Sequence, residues 1–127
     1  TNRFFLIVGC LILLTGVQLG ALGSHALDAV LTPKKLESWS LAVQYQLIHG
    51  LGLLIASLLA DNLANPKLLK WSQGLLLAGI IMFSGSIYLT ALGAPAWLGT
   101  ITPFGGLTLM LAWLLLAIGI YRSQAGQ

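Results

Sequence analysis

The fold is decided by FFLIVGCLILLTGVQLGALG, residues 4–23, an apolar stretch that carries no charged side chain. A helix that crosses a hydrocarbon core of about 30 Å needs about 20 mostly apolar residues. This stretch meets that length, and so do three further apolar runs at residues 41–60, 68–92 and 104–121. All Asp, Glu, Lys and Arg residues lie at the ends of the runs or between them. The sequence therefore predicts an all-α membrane protein, a compact antiparallel bundle of four transmembrane helices.

Composition argues against a soluble protein with a charged surface. Hydrophobic residues make up 57% of the 127 residues and charged residues only 7%, whereas a soluble domain carries about 25% charge. We expect a single transmembrane domain over residues 1–127, with spans at about 4–30, 33–60, 66–92 and 103–122. The net charge of +3 comes from residues scattered among the loops. That distribution suits a lipid bilayer and not a nucleic acid, which requires a clustered basic face.

Three of the predicted helices begin with a capping residue followed by proline: Thr32-Pro33, Asn65-Pro66 and Thr102-Pro103. Proline at the first helical position loses no hydrogen bond, because its missing N–H would have no partner there. The preceding Thr or Asn side chain can accept from the next free N–H groups. These dipeptides therefore predict where the second, third and fourth helices start.

Lysine and arginine favour the cytoplasmic side of a membrane. The predicted bundle has four of them on one side and two on the other, namely Arg3, Lys67, Lys70 and Arg122 against Lys34 and Lys35. We therefore expect both termini to face the cytoplasm, or the matrix if the protein is mitochondrial.

Small residues recur along one face of each predicted helix. Membrane helices associate by close approach of their backbones, and a seven-residue spacing keeps small residues on one seam of a left-handed bundle. We predict helix packing at Gly9, Gly16, Gly20, Gly23, Gly85, Gly105, Ala112 and Gly119. The same stripes could form a homo-oligomer face, but packing within the chain is favoured because every helix has a stripe.

Polar side chains inside a span are costly, so each is a functional candidate. His49 lies near mid-membrane, and at about 100° per residue it shares a face with Gln46 and with the small residues Ala42 and Ala56. We expect this face to point into the bundle. The candidate intramembrane polar cluster comprises His25, Asp28, Gln46, His49, Ser84, Ser86 and Tyr88.

Each candidate also has a purely structural interpretation. His49 can be a neutral imidazole bonded to a neighbouring helix, or it can bind a ligand or handle protons. His25 can donate a hydrogen bond to Asp28 three residues later, or the two can hold the first loop at the interface. The hydroxyls of the third run can pair along the helix, or they can satisfy backbone carbonyls. The two pairs at i+4 are Ser84 with Tyr88 and Ser86 with Thr90.

Familiar catalytic motifs are missing from the sequence. No span holds a pair of carboxylates for acid–base hydrolysis, and neither a phosphate loop with its lysine nor a G-x-S-x-G motif occurs. Two histidines without a carboxylate cluster make a weak metal site. Axial haem ligation needs His25 and His49 at one depth, and His25 should lie further out. We therefore predict no enzyme, no cofactor and no metal.

Four motifs occur in order along the chain: GALGSHAL (20–27), YQLIHG (45–50, after Trp39), FSGSIY (83–88) and TPFGG (102–106). Because these motifs occur in this order and with similar spacing, the whole chain resembles the uncharacterised bacterial membrane family catalogued as domain of unknown function 423. The eukaryotic relatives of that family are called transmembrane protein 256. Ser24 stands where the family more often has Ala, and Phe104 where it more often has Ile. The resemblance implies a multi-pass protein of the bacterial plasma (inner) membrane, or of the mitochondrial inner membrane if eukaryotic. It supplies no catalytic or binding residue.

Small size, short loops and Gly-rich faces favour a structural or accessory role, as a subunit or assembly factor of a larger membrane complex or as a homo-oligomer. The alternative is a transport or ligand-binding protein that handles a small molecule, an ion or protons through the polar cluster. An intramembrane enzyme acting on a lipid or quinone lacks a recognisable nucleophile or acid–base pair. A closed, fully bonded cluster favours the accessory role, and a water-accessible cavity between the first three helices favours transport.

Overall fold

The computed structural model describes residues 3–63 and 67–125, and every regular element in them is helical. A π-helical segment, Ile81–Gly85, joins the third and fourth α-helices, and a 3₁₀ turn, Ala96–Thr100, precedes the fifth. The α-helices of these residues are α1 (Phe4–Ser24), α2 (Pro33–Asn62), α3 (Lys67–Ile80), α4 (Ser86–Ala91) and α5 (Ile101–Ala125).

Four helical stretches are long and apolar enough to cross a membrane: Phe4–Ser24, Pro33–Asn62, Lys67–Ala91 and Ala96–Ser123. Their mean hydropathies are 2.3, 1.5, 1.8 and 2.0. The third span is α3, the π-helical segment and α4 in succession. Consecutive spans pack on one another, α1 on α2, α2 on α3 and α3 on α5, and short connections between such neighbours give an antiparallel bundle. The predicted fold class is confirmed.

The hydrophobic core lies between α2, α3 and α5. Its fully buried members include Leu53 of α2, Leu69 and Leu76 of α3, and Ala112 of α5. Helix α1 stands at the edge of this core, because Gly9 and Gly16 are the only buried residues in it. The central helix is therefore α2, which α1 covers on one side.

The glycines of α1 are where α2 approaches. A Cβ atom at Gly9, Gly16 or Gly23 would lie 2.7 Å from the side chain of Leu54, Leu47 or Trp39, respectively. One at Gly20 would lie 3.2 Å from Val43. On α5, Gly105 packs against the backbone of Phe83 and Gly119 against Leu69. The prediction for Gly85 is wrong, because a Cβ atom there would meet nothing within 4 Å.

Helix α2 starts as its Thr-Pro dipeptide predicts. The Thr32 hydroxyl accepts a hydrogen bond from the Lys35 N–H at 3.2 Å, and Pro33 is the first helical residue. The predicted cap Asn65-Pro66 lies outside the described residues. The predicted cap at Thr102 is wrong, because α5 already begins at Ile101 after the 3₁₀ turn.

The first span is shorter than predicted, since α1 ends at Ser24 and not near residue 30. The Leu27 N–H donates to the Leu22 carbonyl at 3.0 Å, which closes a wide turn and takes the chain out of the helix. Leu27 and Leu31 then pack against the buried cluster that includes Trp39 and Val43 of α2. His25 and Asp28 consequently lie in the first loop.

The third span contains a π-helical turn that hydropathy does not predict. A π turn inserts one extra residue and rotates the following helix relative to the preceding one. In this protein two contacts with neighbouring spans hold the π-helical segment in place. Ser84 donates to the backbone carbonyl of Ala42 in α2 at 2.7 Å, and the backbone of Phe83 meets Gly105 of α5 directly.

Candidate functional site

Gln46, which is 5% exposed on α2, makes more hydrogen bonds to other helices than any other side chain that the structure describes. Its Nε2 donates to the Ile12 carbonyl and to the Thr15 hydroxyl of α1, both at 2.9 Å. Its Oε1 accepts from the Tyr88 hydroxyl of α4 at 2.5 Å. Both amide hydrogens and the amide oxygen are thus used, and one side chain links three spans. We refer to Thr15, Gln46 and Tyr88 as the Gln46 network.

Packing and a second hydrogen bond fix both partners of Gln46. The Thr15 hydroxyl lies 2.9 Å from the Leu11 carbonyl, to which it donates. The Tyr88 ring packs against Trp39, with 4.7 Å between the ring centroids. The Trp39 indole N–H donates to the Leu19 carbonyl at 2.8 Å. The network is therefore held by helix backbone on one side and by aromatic packing on the other.

The predicted pairing of Ser84 with Tyr88 is wrong. Because the π-helical segment intervenes, Ser84 bonds to Ala42 while Tyr88 reaches Gln46. Ser86 and Thr102 of α5 share a hydrogen bond of 2.5 Å. Thr90 donates to the Ser86 carbonyl, not to its hydroxyl. These hydroxyls therefore tie backbone and neighbouring spans together.

The buried polar side chains of the described interior are paired by hydrogen bonds. Within residues 3–63 and 67–123, each buried side-chain nitrogen or oxygen has a hydrogen-bond partner. The Gln46, Ser84 and Ser86 side chains are all at most 5% exposed. These bonds join α1, α2 and the third span, and Thr15, at the edge of the network, is exposed.

His49 lies apart from this network. It is 7% exposed on α2, and its Nδ1 lies 2.8 Å from the Tyr45 carbonyl of the same helix. The prediction of a hydrogen bond to a neighbouring helix is therefore wrong. Instead the imidazole stacks on the Tyr45 ring at 5.5 Å and faces the Trp113 indole of α5 at 5.7 Å, measured between centroids.

A cavity of about 680 Å³ adjoins His49 between α2, the π-helical segment and α5. Aromatic side chains form much of its wall, and the absence of a side chain at Gly106 leaves it open. Ile48, Leu107 and Met110 at its rim are more than half exposed, so it opens sideways, toward lipid. We refer to it as the lateral cavity; its other lining residues are Tyr45, Phe83, Pro103, Leu109 and Trp113.

His25 and Asp28 do not join the polar cluster. Both are exposed in the loop after α1, and within the part of the chain that the structure describes no hydrogen bond or ion pair joins them. Asp28 lines a separate surface groove of about 440 Å³ with Gly20, Gly23 and Trp39. The predicted convergence of both histidines on one site is therefore wrong.

The sequence analysis did not identify Thr15 as a partner of Gln46 or Trp113 as a neighbour of His49. Thr15 is the only hydroxyl residue within the 4–23 stretch, which is a signal that could have identified it. Trp113 offered no such signal, because an aromatic residue within an apolar run is typical of any span. Its place beside His49 depends on Gly52, where a Cβ atom would lie 2.8 Å from the Trp113 ring.

Comparison with known proteins identifies related chains. Residues 19–106 match the sequence model of a family described as "Protein of unknown function (DUF423)". A UPF0382 membrane protein of Staphylococcus haemolyticus is 38% identical over 120 residues, which cover 94% of this chain and 97% of the relative. UPF0382 membrane proteins of Bacillus subtilis and Staphylococcus epidermidis are 36% and 40% identical over 120 residues, covering 94% of this chain and 98% and 97% of theirs. No solved structure matches the chain.

Proposed function

Because the chain belongs to this DUF423 family of membrane proteins of unknown function, we propose a role from its own geometry. The protein is a small accessory subunit or assembly factor of a larger complex in the bacterial plasma membrane. The observation that carries the proposal is the closed Gln46 network. An ion or proton path at membrane depth needs polar groups that face water and can exchange partners, and here those groups are bonded to one another.

The outer face of α1 supports a role in association. Leu11, Leu14 and Val17 on this face are all more than half exposed, while the glycines of the same helix face α2. Helix α1 thus has one face committed to the bundle and a broad apolar face free for lipid or for another membrane helix. A helix of a partner subunit is the occupant we propose.

Site-specific photo-cross-linking in native membranes tests the proposal. A benzoylphenylalanine at Leu14 on α1 is compared with one at Leu114 on α5, since both side chains are about equally exposed, at 54% and 55%. We expect the Leu14 position to give one discrete product with a different membrane protein, identified by mass spectrometry. A product with a second copy of this chain, or no product from Leu14, would contradict the proposal.

A flux measurement addresses the transport alternative directly. Proteoliposomes that contain a pH-sensitive dye are compared with protein-free liposomes under an imposed pH gradient. The closed network predicts equal rates of proton equilibration. A faster, protein-dependent rate that Gln46→Leu abolishes would overturn the accessory role in favour of transport.

A further inference from the structure

We propose that the lateral cavity binds a lipid-soluble molecule with a ring hydroxyl, and that this hydroxyl donates a hydrogen bond to Nε2 of His49. The ring would lie among the aromatic side chains of the cavity wall, with any alkyl tail directed into the bilayer. This site is separate from the Gln46 network and from the outer face of α1.

The hydrogen bond of His49 fixes which ring nitrogen can bind. A backbone carbonyl only accepts, so Nδ1 must donate its hydrogen to the Tyr45 carbonyl 2.8 Å away. In the neutral ring Nε2 then carries a lone pair and acts as an acceptor. No hydrogen bond to Nε2 occurs in the described residues. Because every fully covered polar atom there has a partner, Nε2 retains accessible surface at the cavity.

The cavity wall favours a flat ring. The Tyr45 and Phe83 rings are stacked with 4.4 Å between centroids, and the Trp113 indole stands across from His49. Aromatic pairs prefer such offset or tilted arrangements, which stabilise them beyond the apolar area buried. A volume of about 680 Å³ lies within the range of pockets that hold small organic ligands, about 300–1,000 Å³.

Polarity and access narrow the class of ligand. No Asp, Glu, Lys or Arg residue lines the cavity, so a charged ligand would have no counter-charge there. The rim consists of exposed apolar side chains, through which a ligand would enter from the bilayer. The single acceptor at Nε2 requires a donor, which a ring hydroxyl provides and a plain acyl chain does not. Tyr45 also lines the cavity, and its hydroxyl has no hydrogen bond within the described residues.

The test uses the whole protein in lipid nanodiscs and two matched probes, 4-heptylphenol and its methyl ether, 4-heptylanisole. The imidazole nitrogens of His49 are followed by ¹⁵N nuclear magnetic resonance, with exposed His25 as the internal control. We expect the phenol to shift Nε2 of His49 saturably and to leave His25 unchanged, while the ether has little effect. Equal effects of the two probes, or a shift that never saturates, would show only partitioning into lipid and would overturn the proposal.

Two variants locate the binding. His49→Phe keeps a ring but removes the acceptor, and losing one hydrogen bond should weaken phenol binding about fivefold. Gly106→Phe fills the cavity from α5 and should abolish binding, whereas Gly74→Phe, in open space on α3, should leave it unchanged. Phenol binding to each variant is measured by the rise in melting temperature that the phenol causes. Wild-type affinity in His49→Phe would overturn the proposal, as would wild-type affinity in a folded Gly106→Phe protein.

Discussion

At the residue scale, Gln46 shows how a polar side chain can be accommodated within an apolar span. Its amide uses both hydrogens on α1 and its oxygen on α4. In lipid each of these groups would otherwise lack a partner, because no water is available to replace the lost bonds. The side chain therefore acts as a three-way connection between the first, second and third spans.

Replacement of Gln46 by leucine should destabilise the protein by about 1 kcal/mol, within the range measured for interhelical hydrogen bonds in membranes. Gln44→Leu is the matched control, because Gln44 lies two residues away on α2 but is exposed and bonds only to Ser40. The loss of stability in each variant is obtained from its free energy of unfolding in mixed detergent, compared with that of the wild type. Equal losses for the two variants would contradict the assignment.

A double-mutant cycle isolates the contact between α2 and α4. If the hydrogen bond from Tyr88 to Gln46 stabilises the fold, Tyr88→Phe should cost much less in the Gln46→Leu background than in the wild type. Additive losses would mean that the two side chains contribute independently.

At the scale of elements, the third span owes its shape to contacts that are distant in sequence. The π-helical segment lies where Ser84 reaches Ala42 of α2 and where α5 presents Gly105. Each contact involves a partner outside the third span. The turn is therefore imposed by tertiary packing, with no breaker residue in the segment itself apart from Gly85.

Gly105→Ala should destabilise the junction between the π-helical segment and α5 by about 1–3 kcal/mol, the usual cost of overpacking. Its new Cβ atom would overlap the backbone of Phe83, which is not free to move like a flexible side chain. Gly106→Ala is the adjacent control, because its Cβ atom would meet Phe83 at an ordinary 3.8 Å. Thermal unfolding in one detergent compares them, and equal melting temperatures would refute the argument.

The elements also show where sequence reasoning succeeds. The number of spans and the Thr32-Pro33 start follow from hydropathy and local capping, which depend only on nearby residues. The burial of Gln46 follows from its place beside Ala42 and Ala56. The end of α1 and the π-helical segment did not follow, because both depend on contacts made by Trp39, Ser84 and Gly105 with other spans. Extrapolating about 100° per residue through residues 81–85 therefore assigned Ser84 the wrong partner.

At the scale of the whole molecule, the interior of the bundle differs from its lipid-facing side. The interior between α2, α3 and α5 is a packed apolar core, and the polar residues near α1 are bonded to each other. The lipid-facing side carries the lateral cavity and the outer face of α1. Any interaction with other molecules at membrane depth therefore takes place from the side.

The orientation predicted from the Lys and Arg count would place the end of α2 in the cytoplasm and the connections before α2 and α5 outside. In a Cys10→Ala background, single cysteines at Ser24 and Gly99 should react with a membrane-impermeant maleimide in intact cells. A cysteine at Asn62 should react only after lysis. All three positions are exposed. The opposite labelling pattern would reverse the orientation.

The peripheral position of α1 also has a consequence for biosynthesis. A membrane protein is made from its N-terminus, so α1 and α2 are both complete before the ribosome reaches Tyr88. The glycine seam of α1 and the two bonds donated by Gln46 lie entirely within this first hairpin. The hairpin can therefore assemble in advance, with the amide oxygen of Gln46 still without its partner from the third span. In the complete bundle that oxygen accepts from the Tyr88 hydroxyl, so the hairpin already carries the acceptor to which the third span bonds.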